Sequence, residues 1–116
     1  MPIDEQTAKA RAMSESQLFD EVAKILKRCG WRYHHVPATA YRKNHIRRGF
    51  PDITAVKGVR LLFMELKREG QALSDEQVEW MNDLLLVQVV SDKCIQYLVF
   101  RPSDLLAGRI DEVLAS

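Results

Sequence analysis

Three residues in the middle of this chain have the types and spacing for acid, base and metal chemistry. Asp52 heads one apolar run, and Glu65 and Lys67 close the next, within Gly-Phe-Pro-Asp-Ile-Thr-Ala-Val-Lys-Gly-Val-Arg-Leu-Leu-Phe-Met-Glu-Leu-Lys from Gly49 to Lys67. Val, Ile, Phe and Thr favour strands and Gly permits a turn, so two runs broken at Lys57 and Gly58 predict a β-hairpin with its charges at the open end. If Lys57 to Arg60 form a four-residue loop, antiparallel register sets Val56 opposite Leu61, Thr54 opposite Phe63 and Asp52 opposite Glu65. Side chains alternate faces, so Glu65 and Lys67 share a face and Asp52 joins them across the ladder. Opposed residues have Cβ atoms about 4.5 to 5.5 Å apart, and two carboxylates at that distance repel unless positive charge lies between them. A divalent cation and Lys67 would both serve. The plainer alternative, a surface salt bridge at a strand end, does not explain why two acids face each other.

The elements that must position these residues follow from the flanking sequence. Ser14 with Gln17 three residues later is a capping box, and Leu18, Val22, Ile25, Leu26 and Cys29 follow at helical spacing until Gly30 stops the helix. Trp31 to Val36 is a strand ended by Pro37. From Ala38 to Phe50 there is little apolar periodicity, but Arg42, Lys43, Arg47 and Arg48 are interleaved with Tyr41, Asn44 and His45 and no acid. This basic loop leads directly into the hairpin. After a polar link from Arg68 to Ala72, Ser74 and Gln77 form a second capping box, with Val78, Met81 and Leu85 on the inward face. Leu84 to Val90 has no Gly and reads equally as late helix, as a short strand, or as one after the other. Cys94 to Phe100 is a strand, and Ser103 caps a final helix through Leu114. Met1 to Met13 is polar and Ala-rich, a flexible N-terminal arm or a loose helical extension.

Composition sets bounds on what this framework can be. At 116 residues, of which 14–116 form the expected domain, one α/β domain is expected, with helices on a small mixed sheet. The second helix is long enough to cross over between parallel strands. The 17 Lys and Arg against 16 Asp and Glu give a net charge of only +1, so any basic signal for nucleic acid is local. Cys29 and Cys94 sit inside apolar patterns as small core residues, not as a disulfide or zinc site, which suits a reducing cytoplasm. No run is long enough to span a membrane and the start lacks a signal peptide, so a soluble, unexported protein is expected. Adjacent His34 and His35 point to opposite faces of a strand, which argues against a shared metal.

Taken together, these residues resemble a known family. Glu15 on the first helix, Gly49 with Pro51 and Asp52, the triplet Glu65-Leu66-Lys67, and Gln77 with Trp80 on the second helix follow the motif order of stand-alone virus-type replication-repair nucleases. These are VRR-NUC domains of the PD-(D/E)xK superfamily. The resemblance covers roughly Ser14 to Asp104, with Leu86 to Lys93 inserted relative to the family pattern. It implies a restriction-endonuclease-like fold with a helix-strand-strand-strand-helix-strand core. It also implies a phosphodiesterase that cuts branched or Holliday-junction-like DNA in repair, in homodimeric members, and a bacterial or phage-infected cell as the setting.

On that basis Asp52 and Glu65 would hold Mg²⁺ or Mn²⁺, hard cations that take oxygen ligands, with the Leu66 carbonyl and Glu15 as further ligands by resemblance. Lys67 would orient or deprotonate the attacking water, with Gln77 in a supporting role. Arg42, Lys43, His45, Arg47, Arg48 and Arg68 would contact DNA phosphates. Each has a plainer reading. Glu15 suits the positive end of a helix dipole, Gln77 is explained by its capping box, Trp80 by the core, and the basic loop by solvation. Two other functions compete: a non-catalytic nucleic-acid-binding module on the same fold, and an RNA-cleaving enzyme.

Overall fold

The computed structural model describes residues 4–36 and 48–116. Its elements in chain order are α1 (Glu5–Ala12), α2 (Glu15–Arg28), β1 (Arg32–His35), β2 (Ile53–Lys57), β3 (Arg60–Leu66), α3 (Asp75–Val90), β4 (Ile95–Phe100), α4 (Pro102–Leu106) and α5 (Arg109–Ala115). This is an α/β chain with a four-stranded mixed sheet in the order β1-β2-β3-β4. Most basic-loop residues, including Arg42, Lys43, His45 and Arg47, lie outside the described residues.

The chain divides into two compact units. One holds the chain up to Trp31, Leu66–Ala72 and Val99–Ser116; the other holds the described residues between Arg32 and Glu65 together with Leu73–Leu98.

In the first unit, α2 is built as its spacing dictates. Ser14 Oγ accepts from Gln17 N (3.1 Å) and Ser14 N donates to Gln17 Oε1 (2.9 Å), closing the capping box. At the other end Gly30, with φ +83°, makes a Schellman stop: Trp31 N donates to Leu26 O (2.9 Å) and Gly30 N to Lys27 O (3.3 Å). Between them Leu18, Val22, Ile25 and Leu26 are buried, as are Ile110 and Leu114 of α5. Each such side chain contributes about 1.5 to 3 kcal/mol by leaving water. The Trp31 indole N–H donates to Leu114 O (2.8 Å), so its polar atom is satisfied inside the core. The N-terminal stretch is helical: Asp4 caps α1 by accepting from Thr7 N (2.8 Å), and Ala10 is buried. The expected single final helix is two, split at Gly108 (φ +77°), and Arg101 rather than Ser103 is the cap residue of α4.

In the second unit the hairpin has the expected register with a tighter turn. Val56 pairs Leu61 and Thr54 pairs Phe63, but Lys57 and Arg60 also pair, leaving Gly58 and Val59 as a two-residue turn. Only Gly58 of the two has positive φ (+61°), the type II′ pattern, whose twist matches that of the strands. β1 pairs antiparallel with β2. The β3–β4 pair is parallel, since the bonds advance together along both strands: Leu61 N to Cys94 O (2.8 Å) and Lys67 N to Phe100 O (3.1 Å). α3 is the crossover between them.

Leu84 to Val90 proves to be helix. α3 runs to Val90, and the chain then turns through Asp92 and Lys93 at φ +54° and +67°. Its Gln88 Oε1 accepts from Tyr97 N (3.0 Å), which occupies an outward N–H of edge strand β4. Cys94, expected in the core, is exposed in that turn, and Cys29 is half-buried at the α2 C-cap. No helix among the described residues is long and apolar enough to cross a membrane.

Candidate active site

Carried one step beyond its last ladder pair, Ile53 with Met64, the hairpin register sets Asp52 across from Glu65. Burial alternates as this requires. Ile53 and Ala55 on β2 and Leu62 and Met64 on β3 are buried on one face, so Asp52, Thr54, Phe63 and Glu65 share the other. Glu65 breaks the rule that acids stay in water, being 1% exposed, whereas Asp52 is half-buried.

The segment entering Asp52 is held from two sides. Gly49 lies so close to α3 that a Cβ there would come within 2.4 Å of the Glu76 carbonyl carbon, and its φ of +83° disfavours a side chain as well. Phe50 meets Trp80 edge-on at 5.0 Å and Phe63 at 6.1 Å, an aromatic cluster linking the segment to α3 and to the acidic face of β3. Pro51 is fully buried. The main chain of Asp52 is fixed as well, its carbonyl accepting from Val36 N (2.8 Å). The Gly-Phe-Pro-Asp run thus places one carboxylate on a rigid support.

Two residues beside the acids carry signals that the sequence did not single out. Tyr97 on β4 is buried, and its hydroxyl has no hydrogen-bond partner among the described residues. Burial first, then the nearby Glu65 and Asp52 carboxylates, hold that hydroxyl well above its usual titration range. Both acids therefore act on the same buried atom. His35 is half-buried while His34 is exposed, as alternation along β1 requires. Burial pushes the His35 imidazole below its ordinary value, Asp52 pulls it back upward, and His34 adds a smaller downward push. In sequence, Tyr97 looked like one more apolar strand residue and His35 like half of a histidine pair.

The remaining predicted residues are placed as follows. Gln77 is half-buried, and its Oε1 accepts from Ser74 N (2.8 Å), so the capping box is formed and engages that oxygen. Arg48 is exposed. In the first unit, Leu66 is buried, Lys67 is half-buried just past β3, Glu15 is exposed in the first turn of α2, and Arg68 is exposed with its guanidinium 3.4 Å from Arg11 O. Among the described residues no group of three or more His, Cys, Asp or Glu is close enough to hold a metal. An open pocket of about 740 Å³ in the first unit is lined by α1, α4 and the link. The chain was compared with protein-family models, curated proteins and solved structures, and it matches none.

Proposed function

We propose that this chain is a metal-dependent, structure-specific DNA endonuclease on a restriction-endonuclease-like fold, acting on branched or Holliday-junction-like DNA. One observation carries the reading: Glu65 is 1% exposed, on a strand whose register, continued one residue past Ile53 and Met64, sets it across from Asp52. Burying a carboxylate is costly, and a second carboxylate facing it raises the cost. An arrangement that works against folding in this way is characteristic of sites kept for chemistry.

The donor set suits a hard divalent cation. Asp52 and Glu65 are candidate ligands for Mg²⁺ or Mn²⁺, with the Leu66 carbonyl and Glu15 as further oxygen donors suggested by the resemblance. Such an ion supplies Lewis-acid charge stabilisation and a more acidic bound water. The chain's own groups do the rest. Lys67, two residues past Glu65, is assigned to orient the attacking water, take its proton and balance negative charge on the phosphate. Phe50, Phe63 and Trp80 hold the Asp52 segment in place. Tyr97 presents a neutral hydroxyl beside the acids across the physiological range, because its titration is displaced upward. The sequence from Arg42 to Arg48, together with Arg68, supplies the cations for the DNA backbone.

The test uses labelled four-way junction, flap, duplex and RNA in Mn²⁺. Cleavage of branched DNA that falls by about 10³-fold or more in Glu65→Ala is expected, the scale of losing a central electrostatic group. Cleavage unchanged in that variant, or binding without cleavage, refutes the enzyme reading, and a preference for RNA replaces the substrate class. A parallel readout is thermal unfolding: Mn²⁺ should raise the midpoint of the wild type by mass action and leave Glu65→Ala unmoved. Glu15→Ala should reduce both effects if Glu15 is a ligand, and neither if it only serves the helix dipole.

A further inference from the structure

Tyr97 carries a hydroxyl that the fold does not use. The residue is 5% exposed, and its oxygen lies in the interior with no hydrogen-bond partner among the described residues. A phenylalanine would fill the same space at less cost, since a buried hydroxyl left unpaired works against folding. Such a group in a native interior needs a reason, and a bound ion or a role in the chemistry is among the usual ones. Its surroundings supply one. The β3–β4 bonds keep the same offset at both ends, Leu61 N to Cys94 O and Lys67 N to Phe100 O, so Tyr97 lies beside Phe63 in the parallel ladder. It therefore shares the sheet face of Phe63, Asp52 and Glu65. Its neighbour Gln96 faces the other way, with Oε1 3.4 Å from the Arg60 guanidinium. Burial first, then Glu65 and then Asp52, keep the Tyr97 hydroxyl protonated. The main chain is pinned as well, because Tyr97 N donates to Gln88 Oε1 of α3 (3.0 Å).

We propose, resting on the divalent-cation reading of Asp52 and Glu65, that Tyr97 is a positioning residue of that site, its hydroxyl donating to the carboxylate pair when the pair holds the cation. Carboxylates that ligate a metal are as a rule hydrogen-bonded in turn, which fixes their orientation. A tyrosine hydroxyl has one proton to give them. The neutrality of this donor matters. A lysine or arginine here would set a positive charge beside the ion and weaken its binding, whereas a hydroxyl leaves the negative charge of the pair for the cation. Burial of the oxygen decides between two roles. An atom closed off from solvent does not meet a phosphodiester, so Tyr97 acts through the acids and not on the substrate. The unpaired hydroxyl is then a local cost to the fold that metal binding offsets.

Manganese binding to the full chain, without DNA and near neutral pH, tests this, with free Mn²⁺ followed by electron paramagnetic resonance. Tyr97→Phe should raise the Mn²⁺ dissociation constant by about 10- to 100-fold, the range for losing a partner of a metal ligand. Its thermal midpoint without Mn²⁺ should be at or above that of the wild type, so a damaged fold does not account for the loss. Tyr33→Phe is the control: Tyr33 pairs with Ala55 on the opposite face, and the change should leave the constant where it is. In cleavage of junction DNA, Tyr97→Phe should need more Mn²⁺ for its half-maximal rate, by the same factor, and regain most of the wild-type rate at saturation. Wild-type Mn²⁺ affinity in Tyr97→Phe, beside a loss in Glu65→Ala, overturns the proposal and leaves the nuclease reading standing. An equal shift in Tyr33→Phe overturns it too. A wild type that binds no Mn²⁺ overturns both.

Discussion

Tyr97 and Gly49 show how single residues report on the acidic site. The Tyr97 hydroxyl is buried without a hydrogen-bond partner among the described residues, so removing it should help the fold. Tyr97→Phe is expected to raise the unfolding free energy by about 0.5 to 1 kcal/mol near neutral pH, read from urea denaturation. The pH dependence has a definite sign. Burial and the two acids raise the folded-state pKa of Tyr97 above its unfolded value near 10. Its contribution is therefore complete below that unfolded value and is lost as pH rises through the folded one. Wild type should lose stability above about pH 10, and Tyr97→Phe should lose less. Gly49 is constrained by shape instead. Gly49→Ala must relieve both a positive φ and a clash with the Glu76 main chain; a loss of about 3 kcal/mol or more is expected, with weaker cleavage because Asp52 shifts.

At the scale of elements, the short helix α4 depends on a carboxylate from the preceding link. Glu69 Oε1 accepts from Ser103 N at 2.6 Å, and Arg101 donates to Gln71 O at 2.7 Å, tying the link to the start of the helix. Bonding from Ser103 holds the Glu69 carboxyl below its ordinary range. A depressed folded-state pKa gives stability that is present above the unfolded value and lost as pH falls through the folded one. Acid should therefore loosen α4, and Glu69→Gln should flatten that acid limb in a pH series followed by hydrogen exchange. This tie was not legible in sequence, because Glu69 and Ser103 are far apart along the chain. The hairpin register was legible, since period-two burial pins Val56 to Leu61 whether the turn holds two residues or four. α3 was legible at its start, where Ser74 and Gln77 make a local signal. Its end was not: Leu84 to Val90 is rich in β-branched residues, and what keeps it helical is its place as the crossover, including the Gln88 bond to Tyr97. Cys94 misled for a related reason, since an apolar neighbourhood in sequence turned out to be an exposed turn. Asp52 and Glu65 could be paired from sequence, but the depth of Glu65 could not, because it depends on what packs over the face.

For the whole molecule, the charge balance limits how DNA can be held. With 17 basic and 16 acidic side chains the chain has almost no net field, so long-range attraction to a polyanion is weak and local cations must supply affinity. Arg42, Lys43, Arg47 and Arg48 are the densest such group in the sequence. If these four neutralise phosphates, each releases about 0.9 of a counterion on duplex arms, and together they contribute about 3 to 4 to the slope of log K against log salt. Replacing all four by Ala should reduce the measured slope by that amount and weaken junction and duplex binding alike, because phosphate contacts position without specifying. A single Lys57→Ala at the far end of the hairpin should leave the slope unchanged. If the fourfold variant keeps the wild-type slope, the DNA path lies elsewhere, and Arg68 becomes the first residue to test.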